Sequence, residues 1–263
     1  MKKIIIAFLI ISCNISKAQT RNCLMVEYEE IVSYIPQIIN NDKGVLYVTN
    51  EEVYYKIIFD NVQKENEIDD QSIIIPAKES EYFSEIYIDI KSKILSENIF
   101  ERYILKKYFS VKEKIPHFEW NILNEEKIIN NYTCKKAEVT FRGRGYVVWY
   151  TEEIPISYGP WKFNGLPGLI ILAEDTSGIY KWKANKITYN KDSFNFSEVK
   201  KRMLKYMEIT FQLLDNEIIE AQKDKIETLK ARNSNRNQTI SFSFSTSQWK
   251  EPINQWRTET NFN

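Results

Sequence analysis

Leu169-Ile170-Ile171-Leu172-Ala173-Glu174-Asp175-Thr176-Ser177-Gly178-Ile179-Tyr180-Lys181-Trp182-Lys183-Ala184 joins an apolar run, a polar turn closing on glycine and an alternating strand. Tyr180, Trp182 and Ala184 fall on one side of that strand, and Lys181 and Lys183 on the other. Side chains of a strand point alternately to its two faces, so this stretch specifies an antiparallel sheet with one buried and one solvated face.

The same logic extends upstream. Leu166-Pro167-Gly168-Leu169 has Pro and Gly in the central places of a type II turn, which predicts positive φ at Gly168. Tyr132 to Phe141 and Tyr146 to Thr151 are two β-rich runs joined by Arg142-Gly143-Arg144-Gly145, a hairpin with a glycine-rich turn. Leu24 to Val32, Val45 to Val48, Val53 to Phe59, Ile86 to Lys91 and Ile99 to Phe109 continue the strand pattern. Thr49-Asn50-Glu51 is a hairpin turn between two of these strands, and the acidic stretch Gln63 to Gln71 is a surface loop. Six of the seven glycines lie within residues 143–178, so one unusual backbone path is concentrated there.

Downstream the texture changes. Ser197 is a candidate helix cap, and no Gly or Pro occurs from Glu198 to Ala231. Val199, Met203, Tyr206, Met207, Thr210, Leu213 and Leu214 recur at helical spacing, which predicts one long helix over about 197–231 with a solvated second half. Asn233 to Ser247 is polar, with Phe242 and Phe244 alternating as in a short strand. The expected fold class is α+β: mainly antiparallel β in a curved sheet, with this helix at the C-terminus.

The N-terminus carries a compartment signal. Lys2-Lys3, the apolar run Ile4 to Ile11 and Ser16-Lys17-Ala18 have the order of a secretory signal peptide over residues 1–18, followed by one domain over 19–263. Cleavage after Ala18 is the preferred reading. Lipidation at Cys13, within Ile10-Ile11-Ser12-Cys13, is the alternative. The apolar run is too short for a membrane span of about 20 residues. Loss of Lys2, Lys3 and Lys17 leaves 33 basic against 36 acidic residues, a net charge of −3. That balance argues against nucleic acid as a partner, since phosphate backbones require clustered positive charge. Cys23 and Cys134 remain after cleavage; either they pair as a disulfide in an oxidising compartment, or both are buried thiols.

The available chemistry is sparse. His117 is the one histidine, flanked by Pro116 and Phe118, and it reads as a partly buried ring beside aromatic residues. A Ser-His-acid triad has no other imidazole to use, and a histidine-based zinc site lacks ligands. No catalytic residue, metal site or cofactor is assigned. Adjacent carboxylates at Glu125-Glu126, Glu152-Glu153 and Glu174-Asp175 do not by themselves define a glycosidase cleft. Arg142 and Arg144 offer guanidinium forks to an anion, but the stretch lacks the ending of a P-loop. Trp149, Tyr150, Tyr158, Trp161, Phe163 and Leu166 are the candidate ligand or partner contacts, against the simpler reading that they fill core. Gly165, Pro167 and Gly168 are assigned to the turn.

Tyr132-Thr133-Cys134-Lys135-Lys136-Ala137, Trp149-Tyr150-Thr151-Glu152-Glu153-Ile154-Pro155-Ile156, Gly159-Pro160 and Phe163-Asn164-Gly165-Leu166-Pro167-Gly168-Leu169-Ile170 occur in that order. Together they closely resemble the GLPGLI family, whose hexapeptide stands here at Gly165 to Ile170. The resemblance is specific from about Trp120 to Trp182. It implies export to the periplasm or cell surface of a Gram-negative bacterium, and it carries over no catalytic residues. By fold-level analogy the sheet is expected to resemble the half-barrel of lipoprotein carriers. The expected function is non-enzymatic binding or carriage of an apolar ligand or peptide. Alternatives are an accessory subunit docking on an outer-membrane partner through Pro155–Leu169, or a hydrolase acting through acidic residues.

Overall fold

The computed structural model describes residues 23–35, 38–58, 83–101, 107–190 and 194–233. Twelve strands form one sheet: β1 (Cys23–Ile35), β2 (Ile38–Val48), β3 (Glu52–Ile58), β4 (Phe83–Asp89), β5 (Ile94–Glu101), β6 (Lys107–Lys114), β7 (Asn121–Ile129), β8 (Tyr132–Phe141), β9 (Arg144–Thr151), β10 (Leu169–Asp175), β11 (Tyr180–Asn190) and β12 (Met207–Ile209). Their spatial order is β12-β6-β5-β4-β3-β2-β1-β11-β10-β9-β8-β7. Neighbours pair antiparallel except β12, which lies parallel to β6. Helices α1 (Phe196–Met203) and α2 (Phe211–Asn233) complete the described chain. The signal segment 1–18 with Cys13, the acidic loop 63–71, and Phe242, Phe244 and the rest of the tail fall outside the described residues.

The sheet is curled, and its contacts show how strongly. β6 and β8 stand nine places apart in the order, about 43 Å on a flat sheet at the usual strand spacing. Yet Phe118, four residues past β6, places its ring centroid 4.4 Å from that of Phe141 on β8. Arg142, in the β8–β9 turn, forms an ion pair with Glu113 of β6. The two flanks of the sheet therefore face each other across an interior, although among the described residues β7 and β12 end the sheet without pairing to each other. Into that interior point Leu24, Val26 and Tyr28 of β1, Tyr55 of β3, Ile86 and Ile88 of β4, Val148 of β9, Ala173 of β10 and Trp182 of β11. Each belongs to the same face by cross-strand register.

The β8–β9 hairpin turns through Arg142 (φ 46°) and Gly143 (φ 83°), the two positive φ values that a tight hairpin needs. The β2–β3 turn is closed by Thr49, whose hydroxyl accepts from Glu52 N at 3.0 Å.

The expectation of one long C-terminal helix over 197–231 is overturned. The helical stripe is interrupted at Leu204–Tyr206, and Met207–Ile209 leaves it to pair with Phe109–Val111 as β12. A parallel partner strand and the stacking of Tyr206 on Tyr108 (4.6 Å) outweigh local helix propensity here. The cap also differs. Asn195, not Ser197, accepts from Glu198 N at the start of α1, while Thr210 Oγ1 accepts from Leu213 N at the start of α2.

α1 lies on the outer face of the sheet against β4 and β5. Its Phe196, Val199 and Met203, spaced three and four apart, bury against Tyr54, Tyr87 and Cys23. α2 buries Leu214 and Ile218 on Phe109 and Val111.

Candidate functional site: the segment filling the sheet

The β9–β10 connection, residues 152–168, turns inward and fills the curled sheet. Trp161, Phe163 and Leu166 are almost wholly buried there. The Trp161 ring stacks on Trp182 at 6.2 Å, and Phe163 meets Tyr146 and Trp182 edge-on at 5.0 and 5.5 Å. Edge-to-face pairs of this kind each contribute about 0.5–1.5 kcal/mol beyond the area they bury.

The local backbone explains why this sequence turns as it does. Phe163 N bonds Pro160 O and Gly159 N bonds Phe163 O, closing a tight turn in which Trp161 takes φ 55°. A bulky residue at positive φ stores about 1–3 kcal/mol of strain and needs fixing by its surroundings. Trp182 on one side and Phe141 on another supply that fixing. Tyr158 and Asn164 form a bridge, Gly165 N bonds Ser157 O, and Trp120 Nε1 donates to Asn164 O at 2.8 Å. The positive φ of the hexapeptide belongs to Gly165 (φ 93°) and not to Gly168, correcting the type II turn read from the sequence. Gly168 serves close approach: a Cβ there would stand 2.0 Å from Thr151 O.

One residue of the segment carries charge into the interior. Lys162 is fully buried, with Nζ 2.8 Å from Glu97 Oε2 on β5 and 3.0 Å from Glu113 Oε1 on β6. Arg142 holds the other oxygen of Glu113, and Phe211 of α2 lies 4.2 Å from Lys162 Nζ. A buried ammonium needs this degree of pairing, since its desolvation alone is worth several kcal/mol. The cluster thus ties the inserted segment, the β8–β9 turn, both far strands and α2 to one point. Lys162, Glu97 and Glu113 were not singled out in the sequence. The available signal was a lysine set between Trp161 and Phe163, in a stretch otherwise apolar.

The sequence candidates divide sharply by position. Arg144 is buried against Asp175, which also accepts from Ser177 N and from Tyr180 N at 2.6 Å, so this arginine braces two turns. Tyr150 is buried, Tyr158 half-buried, and Trp149 lies on the outer face under Lys127, whose Nζ is 3.9 Å from the ring. Glu152, Glu153, Pro155, Ser157, Gly165 and Pro167 are the exposed points of the segment. Cys23 and Cys134 are both buried free thiols, Cys23 beneath α1 and Cys134 in the interior core. Burial pushes the Cys134 thiol up to about 11, and raises Cys23 as well. His117 is exposed, not packed among aromatics as its neighbours suggest.

The paired carboxylates are spoken for separately. Glu125 pairs with Lys136, Glu152 with Lys135 and Glu174 with Lys181, while Glu153 accepts from Thr133 N. Among the described residues no cluster of three or more His, Cys, Asp or Glu is placed to hold a metal ion. No described helix is long and apolar enough to cross a membrane.

This geometry defines an open, self-filled curled sheet. Residues 144–172, from β9 through the inserted segment into β10, match a family described as protein of unknown function (Porph_ging). Two solved structures of PNGF-II, in space groups C2 and P21, resemble the chain at 14% identity, with TM-scores of 0.50 and 0.49. Each likeness covers 76% of this chain, but 33% and 34% of PNGF-II, so the chain spans about a third of that protein. A Vibrio parahaemolyticus outer membrane lipoprotein-sorting protein domain aligns at 9% identity over 71% of this chain and 92% of that domain, with a TM-score of 0.33. The first likeness is one of fold alone. No curated protein matches the sequence.

Proposed function

We propose that this is an exported, non-catalytic envelope protein of the GLPGLI kind, which binds an apolar ligand or a peptide within its curled sheet at the periplasm or cell surface. One observation carries the reading: the aromatic interior is completed by an inserted segment and not by strands. Residues 152–168 are held by a tight turn, one bridge, a charge cluster and single side-chain bonds such as Trp120 Nε1 to Asn164 O, and not by a strand ladder. Such a segment is exchangeable for a guest of the same chemistry, whereas a hydrogen-bonded strand is not. Trp161, Phe163 and Leu166 then stand where the guest's apolar groups would lie, and Tyr150 and Tyr158 line the approach.

The test is native mass spectrometry of protein purified gently from its own envelope. A lipid or peptide that leaves on denaturation, and whose presence speeds amide exchange across residues 152–168, is the expected result. A bare polypeptide whose tryptophan emission ignores added lipids and envelope peptides would overturn the reading. Docking of Pro155–Leu169 on an outer-membrane partner is the second reading, favoured by the exposure of Pro155, Gly165 and Pro167. Crosslinking from Pro167→Cys in intact envelopes distinguishes it by capturing one specific neighbour.

A further inference from the structure

Outside the filled interior, the outer face of β4, β5 and β6 carries a depression of about 450 Å³. It is lined by Tyr87, Asp89, Ser92, Ile94, Ser96, Lys112 and Lys114, with Glu113 contributing from the wall. Cross-strand register explains the grouping. Tyr87 pairs with Ser96 and Ser96 with Lys112, while Asp89 pairs with Ile94 and Ile94 with Lys114, so two adjacent rows project from one face. Lys112 and Lys114 are alternate residues of one strand, about 7 Å apart and aimed the same way. Lys200 of α1 reaches over Tyr87, with Nζ 5.7 Å from the ring.

The charge balance around this depression is uneven. Glu208 takes up Lys112, Glu52 takes up Lys200, and the carboxylate of Glu113 is turned inward to Arg142 and Lys162. Lys91 and Lys93 flank Ser92 in the β4–β5 turn, and Lys93 O accepts from Ile115 N beside Lys114. Lys91, Lys93 and Lys114 are exposed and enter no ion pair among the described residues. Against these three cations stands Asp89, whose carboxylate accepts from Lys91 N and Ser92 N. A chain with no net charge overall thus concentrates positive potential at one concave place.

We infer that this depression binds a phosphorylated sugar through Lys114, Lys112 and the β4–β5 turn lysines. Ammonium groups on flexible stems suit a phosphate as point charges. The volume far exceeds one phosphate, and Tyr87 and Ile94 offer apolar wall for a sugar ring while Ser92, Ser96 and Asp89 offer partners for its hydroxyls. The phosphorylated sugar is either free or the head group of an envelope lipid. This site is independent of the interior, so its failure would leave the carrier reading untouched, and the reverse holds as well.

The experiment is titration of the full chain with glucose 1-phosphate, and with vesicles of phosphatidylcholine with or without phosphatidylinositol 4-phosphate, followed by calorimetry and amide shifts of residues 87–114. Lys114→Glu and Lys112→Gln are compared with Lys186→Gln on the distant β11. The expected result is binding that falls with salt and weakens about tenfold in Lys114→Glu, with unfolding midpoint and Lys186→Gln affinity unchanged. Response to glucose 1-phosphate assigns a free sugar phosphate, and response to the vesicles alone assigns a head group; both support the site. Absence of binding to either probe, or binding that Lys114→Glu and Lys112→Gln leave intact, overturns it.

Discussion

The interior of the curled sheet and the layer that α1 forms on its outer face are held together by different physics. Inside, Trp161, Phe163, Tyr146 and Trp182 touch one another, and charge enters in partnered form: Lys162 between Glu97 and Glu113, Arg144 against Asp175, and Glu30 accepting from Tyr55. Outside, α1 adds three apolar side chains but is steered by ions: Arg202 forks onto the buried carboxylate of Glu85, and Lys200 pairs with Glu52. Glu85 also accepts from Tyr54 at 2.6 Å and from Asn98 at 2.9 Å. Even so, Asn98 Oδ1 and Ser110 Oγ, a cross-strand pair on that face, are buried with no hydrogen-bond partner among the described residues. The inside is a core, whereas the outside is a docked layer steered by ions. Local opening should therefore begin outside.

The largest effect is expected where packing is densest. Trp182→Ala and Phe163→Ala should each destabilise by about 3–5 kcal/mol in denaturant unfolding, since each leaves a cavity lined by aromatic rings. Lys162→Met is expected to lose about 3–5 kcal/mol, because it removes the buried cation that holds the carboxylates of Glu97 and Glu113 together. If Lys162→Met unfolds with the wild-type midpoint, the cluster is not the tie described here. Arg202→Met should lose about 2 kcal/mol, as Glu85 keeps its Tyr54 and Asn98 donors. It should also raise amide exchange in 196–209 while leaving 144–184 protected, which a uniformly cooperative domain would not do.

Smaller effects sharpen the contrast further. Lys200→Met, removing a half-exposed partner of Glu52, should change stability by no more than about 1 kcal/mol. Alkaline titration probes the interior thiol. Cys134 is pushed up to about 11 by burial, above its ordinary value, so its contribution is complete below pH 9 and is lost as pH rises towards 11. Cys134→Ala should flatten that part of the stability curve, measured by chemical denaturation at pH 8 to 11. Tyr87, pushed up to about 12 chiefly by burial, adds to the loss only above about pH 10, and Cys23, also raised by burial, shares the window, so the difference between wild type and Cys134→Ala reads the interior thiol.

The difference between the regions also decides what could be read from sequence. The strand of Tyr180, Trp182 and Ala184 was legible because each residue's face follows from alternation alone. The β8–β9 hairpin was legible because glycine follows arginine where positive φ is required. β12 was not: Met207 and Thr210 fit a helical stripe, and only Phe109 to Val111, nearly a hundred residues earlier, turns Met207–Ile209 into a strand. Thr210 was the local signal, as a capping residue inside the supposed helix. At the site, the aromatic residues and the hexapeptide stood out. Lys162 did not, since its meaning rests on Glu97 and Glu113, which only the curl of the sheet brings near.

An open sheet has two edges, and the strands that end this one differ in how they avoid recruiting another chain. β12 offers a template three residues long, too short for a lasting ladder. β7 is nine residues long and exposes Ile122 and Ile128, so it is the natural nucleus for fibre growth. Its register with β8 slips between Ile122 and Glu126, and Glu125, Glu126 and Lys127 crowd the middle of the strand. A second β7 approaching in line meets a kinked backbone and a block of like carboxylates. The bulge thus acts as a gatekeeper against the growth of a half-closed sheet into a polymer.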